Sequence, residues 1–323
     1  MSDHTFCLLV PPDEEGLRLD LFLAGALPHL SRSRIQQLVR EGLATVDGLP
    51  QKASLRLRGG QQVTLTQPPP PESSLPGQDI PLDIVYEDAH LVVVNKTAGM
   101  VVHPAAGNPD HTLVNALLHH FHHLPGAESS LRPGIVHRLD KDTSGLLVAA
   151  RDEHTLRHLQ EQFREHSIDR RYRALVLGRM NPPSGRVESL IGRHLGDRQR
   201  FASRDQTGRP AVTHWRTLCS FRGLVTLVEC KLETGRTHQI RVHLSELGFP
   251  VVGDRTYGAT TRRARALGDR ETAQLLADAP RQMLHAYRLG FVHPVTGEKL
   301  LFTVDDPPDM AQMLVALEHR LGT

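Results

Sequence analysis

The sequence predicts an α+β protein in two parts: a small α/β unit, then a larger unit with a mixed, largely antiparallel central sheet and flanking helices. Short apolar runs typical of strands outnumber helical patterns and do not alternate strictly with them, which argues against a doubly wound fold. A proline-rich stretch interrupts the chain at 67–77. The 323 residues leave ample material for a core on the larger side of that stretch.

The proline-rich stretch marks the boundary between the two parts. Four consecutive prolines at 68–71 favour extended geometry, and the serines and glycine that follow supply no core. We therefore expect an N-terminal domain over 1–66, a semi-rigid linker over 67–79 and a second domain over 80–323.

The N-terminal part reads as two helices followed by short strands. Leu17, Leu21 and Leu27 give the first helix an apolar side, and Pro28 ends it. Ser31 suits the N-cap of a second helix, predicted from Arg32 to Glu41. This helix carries a polar-basic stripe beside its buried face. Strands are expected at 44–48 and 62–65.

The larger part alternates apolar runs with two clear amphipathic patterns. Helices are expected at 155–166 and 238–247, the second stopped by a glycine and a proline. Strands are expected at 91–94, 145–150, 172–177 and 224–232.

The net charge of +2 hides local basic surfaces. Residues 16–66 include seven basic and three acidic residues, and residues 186–216 include the same numbers. Residues 67–90 include five acidic residues and no basic one. Such basic segments suit contacts with nucleic-acid phosphates.

Several protein classes are disfavoured. No apolar run approaches the roughly 18 residues of a membrane helix, and the N-terminus lacks the pattern of a secretory signal. Three cysteines without metal spacing favour a reduced, cytoplasmic setting. A histidine run at 119–123 admits a metal site, but a solvated helix end accounts for it better, so we expect no metal.

The segment 132–145 is dense in polar residues and runs directly into a buried strand, where a loop is held rigidly yet exposed. Nearby positive charge favours an ionised Asp140, which could act as nucleophile or base. A turn with a solvated charge cluster is the alternative. Asp142 suggests a carboxylate pair, although a turn residue explains it better.

A second polar segment covers 231–244. Thr234 or Thr237 could cap the following helix, whose N-terminal amides attract anions. Arg236 would then lie at that helix start, as a partner for a carboxylate or a phosphate, or as an ordinary surface arginine.

Two motifs carry a family resemblance. The stretch His-Arg-Leu-Asp-Lys-Asp-Thr-Ser-Gly at 137–145 resembles the central signature of the RluA-type pseudouridine synthases, and Leu-Glu-Thr-Gly-Arg-Thr-His-Gln-Ile-Arg at 232–241 resembles their later motif. Further matches follow in family order over 80–305, with Thr97 in place of the usual proline. Ser-Arg-Ser-Arg at 31–34 through Val-Asp-Gly at 46–48 resembles an S4 RNA-binding domain, a pairing typical of the branch acting on large-subunit ribosomal RNA.

The resemblance implies a role for each matching residue. Asp140 falls on the nucleophile, Tyr172 on the tyrosine that packs against the target base, and Arg236 on the arginine that pairs with the aspartate. Leu284 falls on an apolar wall of the pocket, and Arg138 on an arginine that fills the gap left by the flipped base. In the S4-like part, the residues expected to bind RNA are Arg32, Arg34 and Arg40.

The implied activity is isomerisation of uridine to pseudouridine in structured RNA, by base flipping and covalent attack at C6 or C1′. It requires no cofactor or metal. The group that removes the C5 proton is open, with Tyr172 as a candidate. We expect a cytoplasmic enzyme with no membrane contact and no obligate protein partner. A synthase for transfer RNA, a non-catalytic ribosome assembly factor and a metal-dependent hydrolase are the alternatives.

Overall fold

A computed structural model describes residues 4–28, 30, 32–68, 75–105, 107–127, 130–197, 200–258 and 270–322. These residues form two separate sheets. A four-stranded sheet lies within 4–67, and a ten-stranded sheet extends from 84 to 303. The mixed, largely antiparallel α+β architecture predicted from the sequence is confirmed.

The N-terminal sheet is antiparallel, with strand order β1-β4-β2-β3. Its strands are β1 (His4–Leu9), β2 (Ala44–Val46), β3 (Leu49–Pro50) and β4 (Gln62–Gln67). A short 3₁₀ turn at Pro12–Glu14 precedes helices α1 (Leu19–Ala26) and α2 (Arg32–Arg40).

The two helices and this sheet enclose a core of their own, which includes Leu23, Ile35 and Val63. The apolar side predicted for the first helix is wrong at two of its three residues, because Leu27 is buried but Leu17 and Leu21 are partly exposed. The buried residues of α1 are instead Leu19, Asp20, Phe22 and Leu23. The expected cap Ser31 lies outside the described residues.

Asp20 is a fully buried carboxylate that organises three polar side chains of this unit. Its oxygens accept hydrogen bonds at 2.7–3.2 Å from Arg18, Arg32 and Gln36. Burial by itself disfavours the carboxylate, but these hydrogen bonds lower the pKa of Asp20 to about 2. Two guanidinium groups are thereby held at the start of α2.

The large sheet has strand order β10-β9-β11-β12-β8-β13-β7-β6-β5, with β14 paired to β13. Every pairing is antiparallel except that of β7 with β13. The strands are β5 (Ile84–Glu87), β6 (Leu91–Lys96), β7 (Ser144–Ala150), β8 (Asp169–Leu177), β9 (Ser184–Arg193), β10 (Phe201–Arg204), β11 (Arg209–Phe221), β12 (Val225–Leu232), β13 (Leu284–Val292) and β14 (Lys299–Thr303).

Helices cover both faces of the large sheet, so its central strands are apolar on both sides. The helices are α3 (Leu113–Phe121), α4 (Glu153–Arg164), α5 (Gln239–Glu246), α6 (Arg270–Ala277) and α7 (Pro308–Leu321). Side chains of α3 and α5 share one core with Val94, Leu147 and Ala174. Two further cores hold residues of α4, α6 and α7 against the same strands.

Two predicted helices start at different residues from those expected. Helix α4 begins at Glu153 because the Asp152 side chain caps it, accepting a hydrogen bond from the Thr155 amide at 2.8 Å. Helix α5 has no threonine cap. Its first flanking residue, His238, adopts a left-handed backbone with φ of 58°, and Thr234 instead donates to Gln239 at 2.8 Å.

The linker prediction falls partly outside the described residues, which omit 69–74. The end of the predicted linker lies against α3, where Asn115 donates to the Pro76 carbonyl at 2.9 Å. Within the described ranges, no helix is long and apolar enough to cross a membrane.

We predict that Asp20→Asn destabilises the N-terminal unit, because it removes the charge that compensates Arg18 and Arg32. The folded-state pKa is depressed, so the carboxylate stabilises this unit above pH 3.8 and loses that contribution as pH falls through about 2. Hydrogen exchange of the α1 and α2 amides should therefore be faster in the variant at pH 7. The two proteins should converge towards pH 2, and equal exchange at pH 7 would contradict this role.

Candidate active site

The loop that carries Asp140 leads directly into β7, at the centre of the large sheet. Because β7 and β13 are parallel, both strands start at the same sheet edge, with Ser144 opposite His285 and Gly145 opposite Ala286. A Cβ at Gly145 would lie 2.3 Å from the Ala286 carbonyl oxygen, so only glycine permits this approach. The chain thus places Asp140 beside the start of β13.

Two buried basic side chains, Lys96 and Arg281, donate hydrogen bonds to the backbone of the loop that carries Asp140. The Lys96 ammonium is 2% exposed and donates to the carbonyls of Thr97, Met100 and Lys141 at 2.8–3.1 Å. Burial lowers the pKa of Lys96 to about 7. Arg281 donates to the Asp142 carbonyl at 3.0 Å. The backbone around Asp140 is therefore fixed by side chains from β6 and from the segment that precedes β13.

Asp140 is part of a three-residue ionic chain. Arg241, on α5, donates from Nη1 to Asp140 Oδ2 at 2.9 Å and from Nε and Nη2 to both oxygens of Asp254 at 2.6 and 3.0 Å. Asp254 is fully buried and also accepts from the amides of Thr256 and Tyr257. Although burial opposes its charge, these carboxylates hold the pKa of Arg241 above its usual value.

The predicted pairing of Arg236 with Asp140 is wrong, and Arg241 takes that place. Arg236 precedes α5, and its Nε donates to the Pro210 carbonyl at 3.0 Å. The left-handed turn at His238 separates the two arginines, so only Arg241 projects from the helix towards Asp140. Residues 239–244 are all buried in the structure. In the sequence, an arginine between apolar residues of a predicted helix was the sign that Arg241 could be buried and paired.

His238 is a second residue that sequence reasoning missed. Its Nε2 lies 4.0 Å from Asp140 Oδ2, and its Nδ1 lies 2.9 Å from the Tyr257 hydroxyl, which accepts from the Phe201 amide. Burial lowers the pKa of His238. A neutral, fixed imidazole therefore lies beside the Asp140 carboxylate.

Tyr172, Leu284 and Arg138 lie with Asp140 around one cavity of about 540 Å³, within the size range of small-ligand pockets. Tyr172 is 6% exposed on β8, and burial raises its pKa, so it carries a neutral phenol. Leu284 begins β13 and is 3% exposed. Arg138 is exposed in the loop two residues before Asp140.

The lining of this pocket is strongly basic. Among the described residues, Asp140 is its only acid, against six arginines. The arginines are Arg132, Arg138, Arg164, Arg170, Arg236 and Arg241. A carboxylate hydrogen-bonded to a guanidinium group is a candidate nucleophile, and the other arginines suit an anionic substrate.

Other predicted residues lie elsewhere. Asp142 does not line this pocket and presents its carbonyl to Arg281. His119 and His120 end α3, near Asp79 and Glu87 at 3.7 and 3.0 Å. The described part of the chain holds no group of three or more potential ligands that could bind a metal. The predicted RNA-binding arginines Arg32, Arg34 and Arg40 all belong to α2.

Comparison with known proteins matches both parts of the chain. The family model for RNA pseudouridylate synthase covers residues 90–246, and the S4 domain model covers 17–63. Ribosomal large subunit pseudouridine synthase D of Zymomonas mobilis is 46% identical, over 91% of this chain and 92% of that protein. RNA pseudouridine synthase 2, chloroplastic, of Arabidopsis thaliana is 41% identical over 95% and 81%, respectively.

A solved human structure, RNA pseudouridylate synthase domain containing 4, has a TM-score of 0.56 and 27% identity. It covers 73% of this chain and 92% of its own. The chain therefore belongs to the RNA pseudouridylate synthase family. It is an isomerase that converts uridine in RNA to pseudouridine, as the sequence motifs predicted.

The corrected ion pair gives a direct prediction. Arg241→Gln should lower the single-turnover rate on saturating RNA by about 100-fold, since a small displacement of a catalytic group has that effect. Arg236→Gln, which leaves the Asp140 contact intact, should weaken RNA binding but keep that rate within a few fold. Rapid-quench measurement of pseudouridine formation separates the two effects, and the opposite ranking of the variants would restore Arg236 as the partner.

Proposed function

We propose that this enzyme modifies uridines of large-subunit ribosomal RNA in the cytoplasm, with Asp140 as the nucleophile. The observation that carries the site assignment is the position of Asp140 as the only acid lining the basic pocket, among the described residues, with Arg241 hydrogen-bonded to it. The relative named for the ribosomal large subunit and the S4 match support the substrate.

In this proposal the target uridine leaves the RNA helix and enters the pocket, at a cost of a few kcal/mol. Tyr172 packs against the base, which contributes roughly 1–3 kcal/mol by stacking. Leu284 supplies an apolar contact, and Arg138 occupies the vacated position in the RNA. Arg138 suits this role because it is exposed and, among the described residues, no partner holds its guanidinium.

Asp140 attacks the nucleoside at C6 or C1′, and Arg241 holds its carboxylate in place. The N1–C1′ bond breaks, the uracil rotates, and a C5–C1′ bond forms. The bond between Asp140 and the nucleoside then breaks, the C5 proton leaves and N1 gains a proton, so bonds and protons balance and the carboxylate is regenerated. Tyr172 is a poor base for the C5 proton because burial raises its pKa. The neutral imidazole of His238, close to Asp140, is better suited to accept it.

We further propose that residues 1–66 form an RNA-binding domain, joined through 67–79 to the catalytic domain over 80–323. Support comes from the separate core of the N-terminal sheet and from the exposed side chains of Arg32 and Arg40 on α2. Asp20 fixes Arg32 with two hydrogen bonds, at 3.0 and 3.1 Å. Its orientation is thus set before RNA arrives.

Replacing the nucleophile tests the reaction. Asp140→Asn should lower isomerisation by more than about a thousand-fold, while RNA binding persists or tightens because the pocket loses its acid. Asp142→Asn is the matched control, since Asp142 is in the same loop but outside the pocket lining, and it should keep activity within a few fold. Substantial turnover by a homogeneous Asp140→Asn preparation would refute the mechanism.

The RNA substrate is identified by carbodiimide mapping of pseudouridines in total RNA from cells with and without the gene. Restoring the gene as wild type or as Asp140→Asn assigns each change to this catalytic site. We expect pseudouridines in large-subunit ribosomal RNA to disappear in the deletion and return only with wild type. Sites confined to transfer RNA would overturn the proposed substrate but preserve the reaction.

The N-terminal domain is tested through salt dependence. Arg32→Gln combined with Arg40→Gln should weaken RNA binding and reduce the slope of log affinity against log salt by about 1.8, or 0.9 per lost phosphate contact. The single-turnover rate at saturating RNA should stay near wild type. The Arg32→Lys, Arg40→Lys protein retains both charges and should keep the slope; identical slopes in all three proteins would argue against phosphate contacts here.

A further inference from the structure

Arg170, in the lining of the pocket, is a buried cation that has no carboxylate partner among the described residues. It is 6% exposed on β8, two residues before Tyr172, and lines the cavity that contains Asp140. Within the described ranges, the guanidinium of Arg170 makes one long hydrogen bond, from Nη2 to the Glu233 carbonyl at 3.4 Å. Its Nε is buried and has no partner there.

The neighbours of Arg170 add no negative charge. Its guanidinium lies 5.1 Å from the ring centre of Phe163, on α4. Arg236 lines the same pocket, and both burial and the charge of Arg236 lower the pKa of Arg170. In contrast, the other buried arginine of the pocket, Arg241, is compensated by Asp140 and Asp254.

A buried guanidinium without a counter-ion is energetically costly, and most buried charges are paired for that reason. Arg236 is also open to a ligand. Its Nε donates to Pro210, but among the described residues no partner is present for its two terminal nitrogens. Two guanidinium groups in one cavity therefore have unused donors, in the geometry that Arg offers to phosphate oxygens.

Gly235 provides the space for this arrangement. A Cβ at that position would lie 2.9 Å from Arg170 Nη1, so a side chain would press on the guanidinium. Because Gly235 has no side chain, the guanidinium of Arg170 can lie against the backbone immediately before Arg236.

We propose that Arg170 and Arg236 form a phosphate-binding subsite for an RNA phosphodiester that flanks the uridine in the pocket. This inference rests on the proposed function and extends it to a specific contact with the RNA backbone. It also gives Arg236 a role: it binds the substrate instead of orienting Asp140. The subsite would position the extruded nucleotide from its backbone, while Tyr172 contacts the base.

Arg170→Met tests the subsite because a ligand-binding role and a structural role predict different results. Met keeps an unbranched, apolar side chain and removes the uncompensated charge. We expect the denaturant midpoint of the RNA-free protein to stay the same or rise. Affinity for a large-subunit ribosomal RNA transcript should fall about tenfold, and the salt slope should fall by about 0.7–0.9. A structural arginine would instead lower the midpoint and leave the slope unchanged.

Arg171→Met is the matched control. Arg171 is the next residue on β8, but it pairs with Asp169 and Glu229 at 3.0 and 3.1 Å, away from the pocket lining. Its loss should lower the denaturant midpoint and leave RNA affinity and salt slope near wild type.

A second variant keeps the test decisive if Arg170→Met does not fold. Gly235→Ala displaces the guanidinium but retains its charge and requires no left-handed backbone. It should weaken RNA binding several-fold. Wild-type affinity in Gly235→Ala, or wild-type affinity and slope in Arg170→Met, would overturn the subsite. Either result leaves the pseudouridine mapping unaffected, so failure of the subsite and failure of the proposed function are distinguishable.

Discussion

The site depends on one buried guanidinium shared by two carboxylates. Arg241 bonds Asp254 through two nitrogens and Asp140 through a third, so its position is set before substrate binds. The attraction within a buried ion pair offsets the free-energy cost of desolvation only when the remaining hydrogen-bonding groups of both residues are satisfied. The backbone amides of Thr256 and Tyr257 also donate hydrogen bonds to the Asp254 carboxylate. Arg241 contacts Oδ2 of Asp140, which leaves Oδ1 for the proposed attack on the nucleoside.

This constraint explains the architecture around it. The parallel pairing of β7 with β13 brings the Asp140 loop and Leu284 to one sheet edge, and β8 adds Tyr172 beside them. Lys96 and Arg281 tie down the carbonyls of the loop. The loop that carries Asp140 is thereby held by the sheet, as the proposed role of Asp140 as nucleophile requires.

In the large sheet, the sequence predicted four strands, β6, β7, β8 and β12, because buried central strands leave continuous apolar runs. It did not predict the other six. It also predicted Asp140, Tyr172 and Leu284 as pocket residues, since their motifs occur in order along the chain. The resemblance misassigned the paired arginine, because a sequence motif does not reveal the left-handed backbone at His238, which lies between Arg236 and Arg241. Asp254, 13 residues beyond Arg241, has no local pattern that links it to the site.

The two kinds of arginine in the pocket divide the work of binding a flipped nucleotide. Arg241 is paired with two carboxylates, Asp140 and Asp254, and fixes the position of the proposed nucleophile. Arg170 has no carboxylate partner within the described ranges, so its burial lowers the stability of the free enzyme. Binding a phosphate relieves that cost, which adds to the stacking on Tyr172 and helps to offset base extrusion. In this proposal, the free-energy cost of burying Arg170 in the free enzyme increases the gain on binding RNA. Such a loss of stability is expected at a residue kept for function.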